Sequence, residues 1–460
     1  MRKPVEPASA VGAAALAILC AACTAAGTGS APQHDGSVPS RTATASADPI
    51  DFAASDRLVG DARFVIFGED SHRMPAVQQL VNAMFRHLVE QQGFRTFVFE
   101  SYWGIEEAVN GFLASDRAAP NDEEAHFLNA FASQPIVELL LWARAYNRAH
   151  PRDPVRFTGY HPDQPVTDAT ALRAFGEQAP ALETSSVEAA LTACGLEAGK
   201  YANDVALLTA LSVRRQSKQP AYTQAARAAC GQGLNALGEA IDRQRATLER
   251  QASRAAVEEA ELHIAGLRFF VQESSPAGDT IAAKWLGGPS TDQPDPEVAD
   301  LYQKADKMRF EIFETLQETR PRTGKTFLWM HNWHAARNSQ TIDVVHNGQR
   351  GRAVSIGERL SRRYGDKLVI IGNIVPCVSC GEPAGSLEPA FATHFGQRTG
   401  VVDFSDEKSS AGLPIRTPGI LFAQYHKPIT ASIENMVLDE HFDGVIYLPN
   451  AETLPRSPRE

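Results

Sequence analysis

The chain is short of most features that would announce a chemistry. No G-x-S-x-G stretch occurs in its 460 residues, so the usual sequence form of a serine nucleophile on a strand-to-helix elbow is missing. No H-E-x-x-H stretch occurs either, which removes the helical zinc-protease signature. Basic charge is outnumbered: 44 Lys and Arg face 55 Asp and Glu, for a formal charge of -11. With no basic patch to neutralise phosphates, a nucleic-acid partner is not expected. No internal repeat is visible. Cysteine is scarce, and two of the six lie in the first 23 residues. Beyond the first 23 residues no second C-x-x-C accompanies Cys377 and Cys380 to complete a zinc site.

Two distinct segments frame the start. Met1-Arg2-Lys3 is followed by "VGAAALAIL" and then by small residues and "CAAC", the layout of a signal peptide and too short to span a bilayer. Cys23, preceded by Leu19 and by Ala21-Ala22, looks like the lipid-acceptor cysteine of a bacterial lipoprotein. Residues 1–23 are therefore expected to be the leader, and 24–49, rich in Ala, Ser, Thr, Gly and Pro, a tether without apolar periodicity. The expected location is the periplasm or cell envelope, with the membrane reached only through an N-terminal lipid. Disulfides are permitted there. Cys377 with Cys380, and Cys194 with Cys230, are the expected pairs. A redox role for "CVSC" is less favoured, because the motif follows a strand-like run and precedes loop residues rather than opening a helix.

Seven short apolar runs stand out: 63–67, 96–99, 155–159, 326–330, 367–374, 419–424 and 444–448. They are nearly continuous rather than alternating, as expected of strands covered on both faces. Helical patterns such as 75–92 and 136–148 lie between them. This alternation predicts an α/β fold with a mostly parallel central sheet flanked by helices. Residues 184–275 lack strand signals and read as an inserted all-helical subdomain. The α/β domain is then expected over 50–183 and 276–455.

The strands hold almost no ionisable residues, but their ends do. The first run delivers Glu69 and His72, the second Glu100, the third His161 and Asp163, and the fourth His331 and His334. In open parallel sheets, ligands bind outside the carboxyl ends of strands. Taken singly, each residue reads as a cap or a packed polar group; their shared location argues for a site. A neutral imidazole can take a proton from water, a carboxylate can orient it, and a second histidine can polarise a carbonyl. Those groups suffice to hydrolyse an ester or amide with no cofactor. A divalent metal held by His72, His331, His334 and Glu100 is the alternative. A non-catalytic small-molecule-binding lipoprotein is a third reading.

Several motifs, in order, resemble the erythromycin esterases. "FGEDSH", "FRHLVEQQGF" and "FVFES" resemble the family's opening, and Asn110 in "AVNGFL" resembles a recurrent asparagine. "VELLLWARAYN", with Arg144 and Asn147, "FLWMHNWHAAR", "IGERLSRRYGDKLVIIG" and "FDGVIYLP" follow. The resemblance covers roughly residues 55–450. It implies an α/β fold with an inserted helical subdomain and a cleft in which a histidine activates water to open a macrolide lactone. His72 matches the family's general base, Glu69 and Glu100 the partnering carboxylates, and His331 and His334 the second histidine pair. Arg73, Asn332, Asp163 and His161 are the expected substrate-binding residues. The sequence departs from the pattern at Arg73, where the family has Gly, at Val81, where it has a basic residue, and at His161, where it has Asp. These departures weigh against a macrolide as the substrate. Oligomeric state is open.

Overall fold

The computed structural model describes residues 52–71, 74–117, 134–162, 164–276, 279, 295–320, 324–346, 349–376, 384–423 and 431–449. The expected leader and tether with Cys23, the residues His72, Arg73 and Asp163, and the Cys377–Cys380 pair lie outside them.

Six of the seven apolar runs form the central sheet. Its strands are β1 (Phe64–Glu69), β2 (Phe94–Phe99), β3 (Arg156–Thr158), β4 (Lys325–His331), β7 (Leu368–Ile374), β8 (Gly400–Asp403) and β11 (Gly444–Tyr447), in the spatial order β3-β2-β4-β1-β7-β11-β8. Every neighbouring pair is parallel except β11 with β8. β1 is buried along its whole length, which explains its unbroken apolar sequence up to Gly68. The crossovers are helices such as Pro75–Gln92. It starts on proline and stops at Gly93, whose positive φ of 75° suits a residue without a side chain.

The run at 419–424 departs from expectation. It supplies β9 (Gly419–Ala423), which lies in a separate antiparallel sheet with β5 (Asp343–His346), β6 (Gln349–Gly351) and β10 (Ala431–Met436). Gly419 and Leu421 are buried while Ile420 is half-buried, the pattern of a strand covered on one face.

The helical insertion has its own core. Leu191, Leu234, Ile241, Val257 and Leu267 pack there, together with Ala169, Leu172 and Phe175 of helix Pro165–Gln178. The layer therefore begins one helix earlier than residue 184. Cys194 and Cys230 are joined by a disulfide that ties helix Thr184–Ala193 to helix Gln224–Gln251. Among the described residues no helix is long and apolar enough to cross a membrane.

Candidate active site

Strand order decides the site. The four strands whose ends carry the ionisable residues are adjacent, β3-β2-β4-β1, and run in parallel. Their carboxyl ends therefore open on the same edge. Glu69 faces His331 directly across the β1–β4 ladder. Gly68, just before it, has no room for a side chain: a Cβ there would stand 2.4 Å from the Asn332 side-chain oxygen. That close approach lets the turn after β4 lie against β1.

Glu100 is the hub. It is 6% exposed, and its Oε2 accepts the His331 backbone N–H at 2.7 Å. Its Oε1 lies 3.4 Å from His334 Nε2 and 3.9 Å from His161 Nε2. On the other side of the ring, His334 Nδ1 stands 2.9 Å from Asp306 Oδ2. Asp306 is fully buried. It also accepts from Arg309 Nη1 at 2.7 Å and from the Ile356 N–H at 3.0 Å. Burial pushes its pKa up, but His334 and Arg309 together outweigh burial and hold the carboxyl below its usual value.

Of the residues expected at the site, Glu69, Glu100, His161, His331 and His334 meet at this edge. His331 is engaged differently from the expectation. Its Nε2 faces the Asp70 carbonyl at 3.1 Å, and its Nδ1 accepts the Trp333 N–H at 3.3 Å. Both ring nitrogens thus meet backbone, which joins the ends of β1 and β4. Asn332 also turns into the sheet: its amide donates to Asn373 O at 2.8 Å and accepts from Asn373 N at 3.1 Å, bracing β7. Its side chain is therefore not available to a substrate in the way expected. Asn110 and Asn147 do the same for β3, bonding Phe157 and Val155.

Several site groups were missed. Asp306 and Arg309 lie on helix Pro296–Thr319, on the face that also buries Val298, Leu301, Ala305 and Ile312. Two charged residues in phase with an apolar stripe are the signal that finds them. Tyr160, just past β3, is fully buried, and its hydroxyl has no hydrogen-bond partner among the described residues. Burial pushes its pKa well up and the Glu100 charge adds to this, so the phenol stays a proton-bearing donor. Asp70 is also buried, and burial, then the charges of Glu388 and Glu69, push its pKa well up.

A second polar cluster joins the insertion to this edge. Asp168 is fully buried and accepts from Tyr102 Oη at 2.8 Å, with His263 Nδ1 2.7 Å away. The His263 ring packs on Trp103, with centroids 4.4 Å apart.

The arrangement can hold and move a proton between buried carboxylates and imidazoles. Among the described residues, no three His, Cys, Asp or Glu side chains are placed to hold a metal ion.

The erythromycin esterase family model matches residues 89–375, a stretch that takes in Glu100, Tyr160, His161, Asp306, His331 and His334. An erythromycin esterase type II from Escherichia coli is 30% identical over 110 residues, covering 24% of this chain and 26% of that protein. The match thus spans about a quarter of that relative's length. Among solved structures, a Bacillus cereus protein superposes with a TM-score of 0.62 at 17% identity, over 86% of this chain and 90% of the other. A histidine-to-asparagine mutant of the erythromycin esterase EreC in its open conformation gives 0.61 at 17% identity, over 87% and 94%. A succinoglycan biosynthesis protein gives 0.60 at 13%, over 86% and 89%. These superpositions show a shared fold. The sequence match supports an esterase or hydrolase function, and by it the chain belongs to the erythromycin esterase family.

Proposed function

We propose that the protein hydrolyses a carboxylic ester or lactone of a small molecule by direct attack of water on the acyl carbon. The observation that carries this reading is His334, just past β4, held between two buried carboxylates: Glu100 at the end of the adjacent parallel strand β2, and Asp306 on helix Pro296–Thr319. In the proposed step, His72 takes a proton from water as its oxygen bonds to the carbonyl carbon. Glu69, three residues before it at the end of β1, and Glu100 steady the imidazoles and the water. The tetrahedral intermediate carries its negative charge on the former carbonyl oxygen, towards which the Tyr160 hydroxyl is a suitable donor. The carbon–oxygen bond to the alcohol then breaks, and His334 gives the leaving oxygen its proton. Proton donation falls to His334 rather than to His331, whose ring nitrogens are engaged by backbone. Arg73, Asp163 and His161 are proposed to contact the substrate.

We also infer export, with Cys23 as the lipid attachment point. The Cys194–Cys230 disulfide supports this, since such bonds persist in oxidising compartments. No resident cofactor is proposed.

The test is a hydrolysis screen over esters, lactones and amides, macrolides included, run with and without chelator. Turnover that survives chelator and falls in both His72→Ala and His334→Gln is the expected result. Loss with chelator and recovery with zinc or manganese favours the metal-dependent reading. Tight binding with no turnover across the panel favours the non-catalytic one.

A further inference from the structure

We propose that Asp306 is a positioning residue for His334: it fixes the ring with its proton on Nδ1 and leaves Nε2 as the working nitrogen towards Glu100. This rests on the hydrolase reading for its catalytic consequence, but not for its geometry.

The argument is a donor–acceptor count. Both oxygens of Asp306 already face donors other than His334: Oδ1 takes Arg309 Nη1 at 2.7 Å, and Oδ2 takes the Ile356 backbone N–H at 3.0 Å. Of the groups around it, a carboxyl O–H could be accepted only by a bare His334 Nδ1, but the Arg309 guanidinium and the Ile356 N–H favour the ionised carboxyl, in line with a pKa held below its usual value. Asp306 is therefore an acceptor on both oxygens. The His334 nitrogen 2.9 Å from Oδ2 then has to be an N–H. A bare imidazole nitrogen there would set two lone pairs against each other in a buried site.

The helix makes the arrangement rigid. Asp306 and Arg309 are three apart on helix Pro296–Thr319, so their side chains share a face and pair locally. The guanidinium also reaches the imidazole edge: Arg309 Nη1 is 3.3 Å from Nδ1 and 3.2 Å from Nε2 of His334. Together with the neighbouring Trp333 ring, centroid 4.6 Å from the imidazole, this leaves the ring little freedom to flip. Nε2 is directed to Glu100 Oε1 at 3.4 Å, longer than a full hydrogen bond. In the proposed reaction the ring starts with a second proton on Nε2, passes it to the leaving oxygen and is left with Nδ1–H alone; the proton that His72 took from water restores it. Asp306 never touches the substrate; it decides which nitrogen does. Ring orientation set from behind in this way is worth roughly 10²–10⁴-fold in rate in comparable imidazole–carboxylate arrangements.

The test reads the ring directly. Protein labelled with nitrogen-15 at histidine is examined by long-range proton–nitrogen correlation, with the His334 signals identified by their loss in His334→Gln. A proton on Nδ1 of His334 in the wild type is the expected result, and Asp306→Asn is expected to alter that pattern. A bare Nδ1 with the proton on Nε2 alone would overturn the proposal. The measurement needs no substrate, so it decides this inference even if the hydrolysis screen finds no turnover. Where turnover is found, Asp306→Asn is expected to lower kcat by roughly 10²-fold or more with KM within about threefold. A kcat within about threefold of wild type would also overturn the proposal while leaving the hydrolase reading intact.

Discussion

Tyr160→Phe separates function from packing at the candidate site. The ring is fully buried and packs edge-on to His161, with centroids 5.0 Å apart. Phenylalanine keeps that contact and removes only the hydroxyl, which has no partner among the described residues. A buried hydroxyl without a partner costs roughly 1–3 kcal/mol. Removing it should therefore leave stability unchanged or raise it by about 1 kcal/mol, a Tm rise of roughly 1–3 °C for a chain of this size. If the hydroxyl donates to the developing oxyanion, kcat falls by roughly 10²–10³-fold in the same variant. Thermal unfolding and hydrolysis rate, measured on one preparation, give both numbers. The signature is a protein at least as stable and far less active. A variant destabilised by more than about 1 kcal/mol would show that the hydroxyl was satisfied after all. A variant with wild-type kcat would remove Tyr160 from the reaction.

Two further outcomes concern the insertion. Asp204 accepts from the Val166 and Thr167 N–H groups and the Thr167 hydroxyl, and burial, opposed by those bonds, pushes its pKa to about 6. A raised carboxyl pKa means the folded state binds more protons between its two pKa values. This contribution is therefore complete below the ordinary carboxylate range and lost as pH rises through about 6. Relative to Asp204→Asn, the wild type should gain on the order of 1 kcal/mol of stability between pH 7 and pH 5 in urea denaturation, and parallel curves would refute the shift. His263→Ala strips buried Asp168 of one of its two side-chain partners among the described residues, Tyr102 being the other. This should cost about 1–3 kcal/mol, read by hydrogen exchange in helix Pro165–Gln178; an unchanged stability would show that the contact does not hold the insertion.

What could be read from the sequence followed from how each feature is encoded. The ends of β1 to β4 were legible because continuous apolar runs stop abruptly at Glu69, Glu100, His161 and His331, and a parallel sheet gathers such ends on one edge. The residues of β9 differ from expectation because "GILFA" reads like a fully buried strand, while its half-covered setting depends on β10, a partner with weak apolar patterning. The apolar residues of helix Pro165–Gln178 are too few to mark it as part of the insertion; tertiary contact with that core, which also holds Leu191 and Leu234, assigns it there. Asp306 escaped notice because no local motif marks it. Its meaning arises from His334, 28 positions away in sequence. The engagement of both His331 nitrogens by backbone was likewise invisible, since a motif names a residue but not the direction in which its ring points.

The central claim, that water attacks the acyl carbon under histidine control, is tested most directly by hydrolysis in heavy-oxygen water of whichever ester or lactone the enzyme turns over. The account predicts the label in the carboxylic acid product, none in the alcohol, and loss of the reaction in His72→Ala and in His334→Gln. Label in the alcohol, or unchanged turnover in both variants, would contradict it.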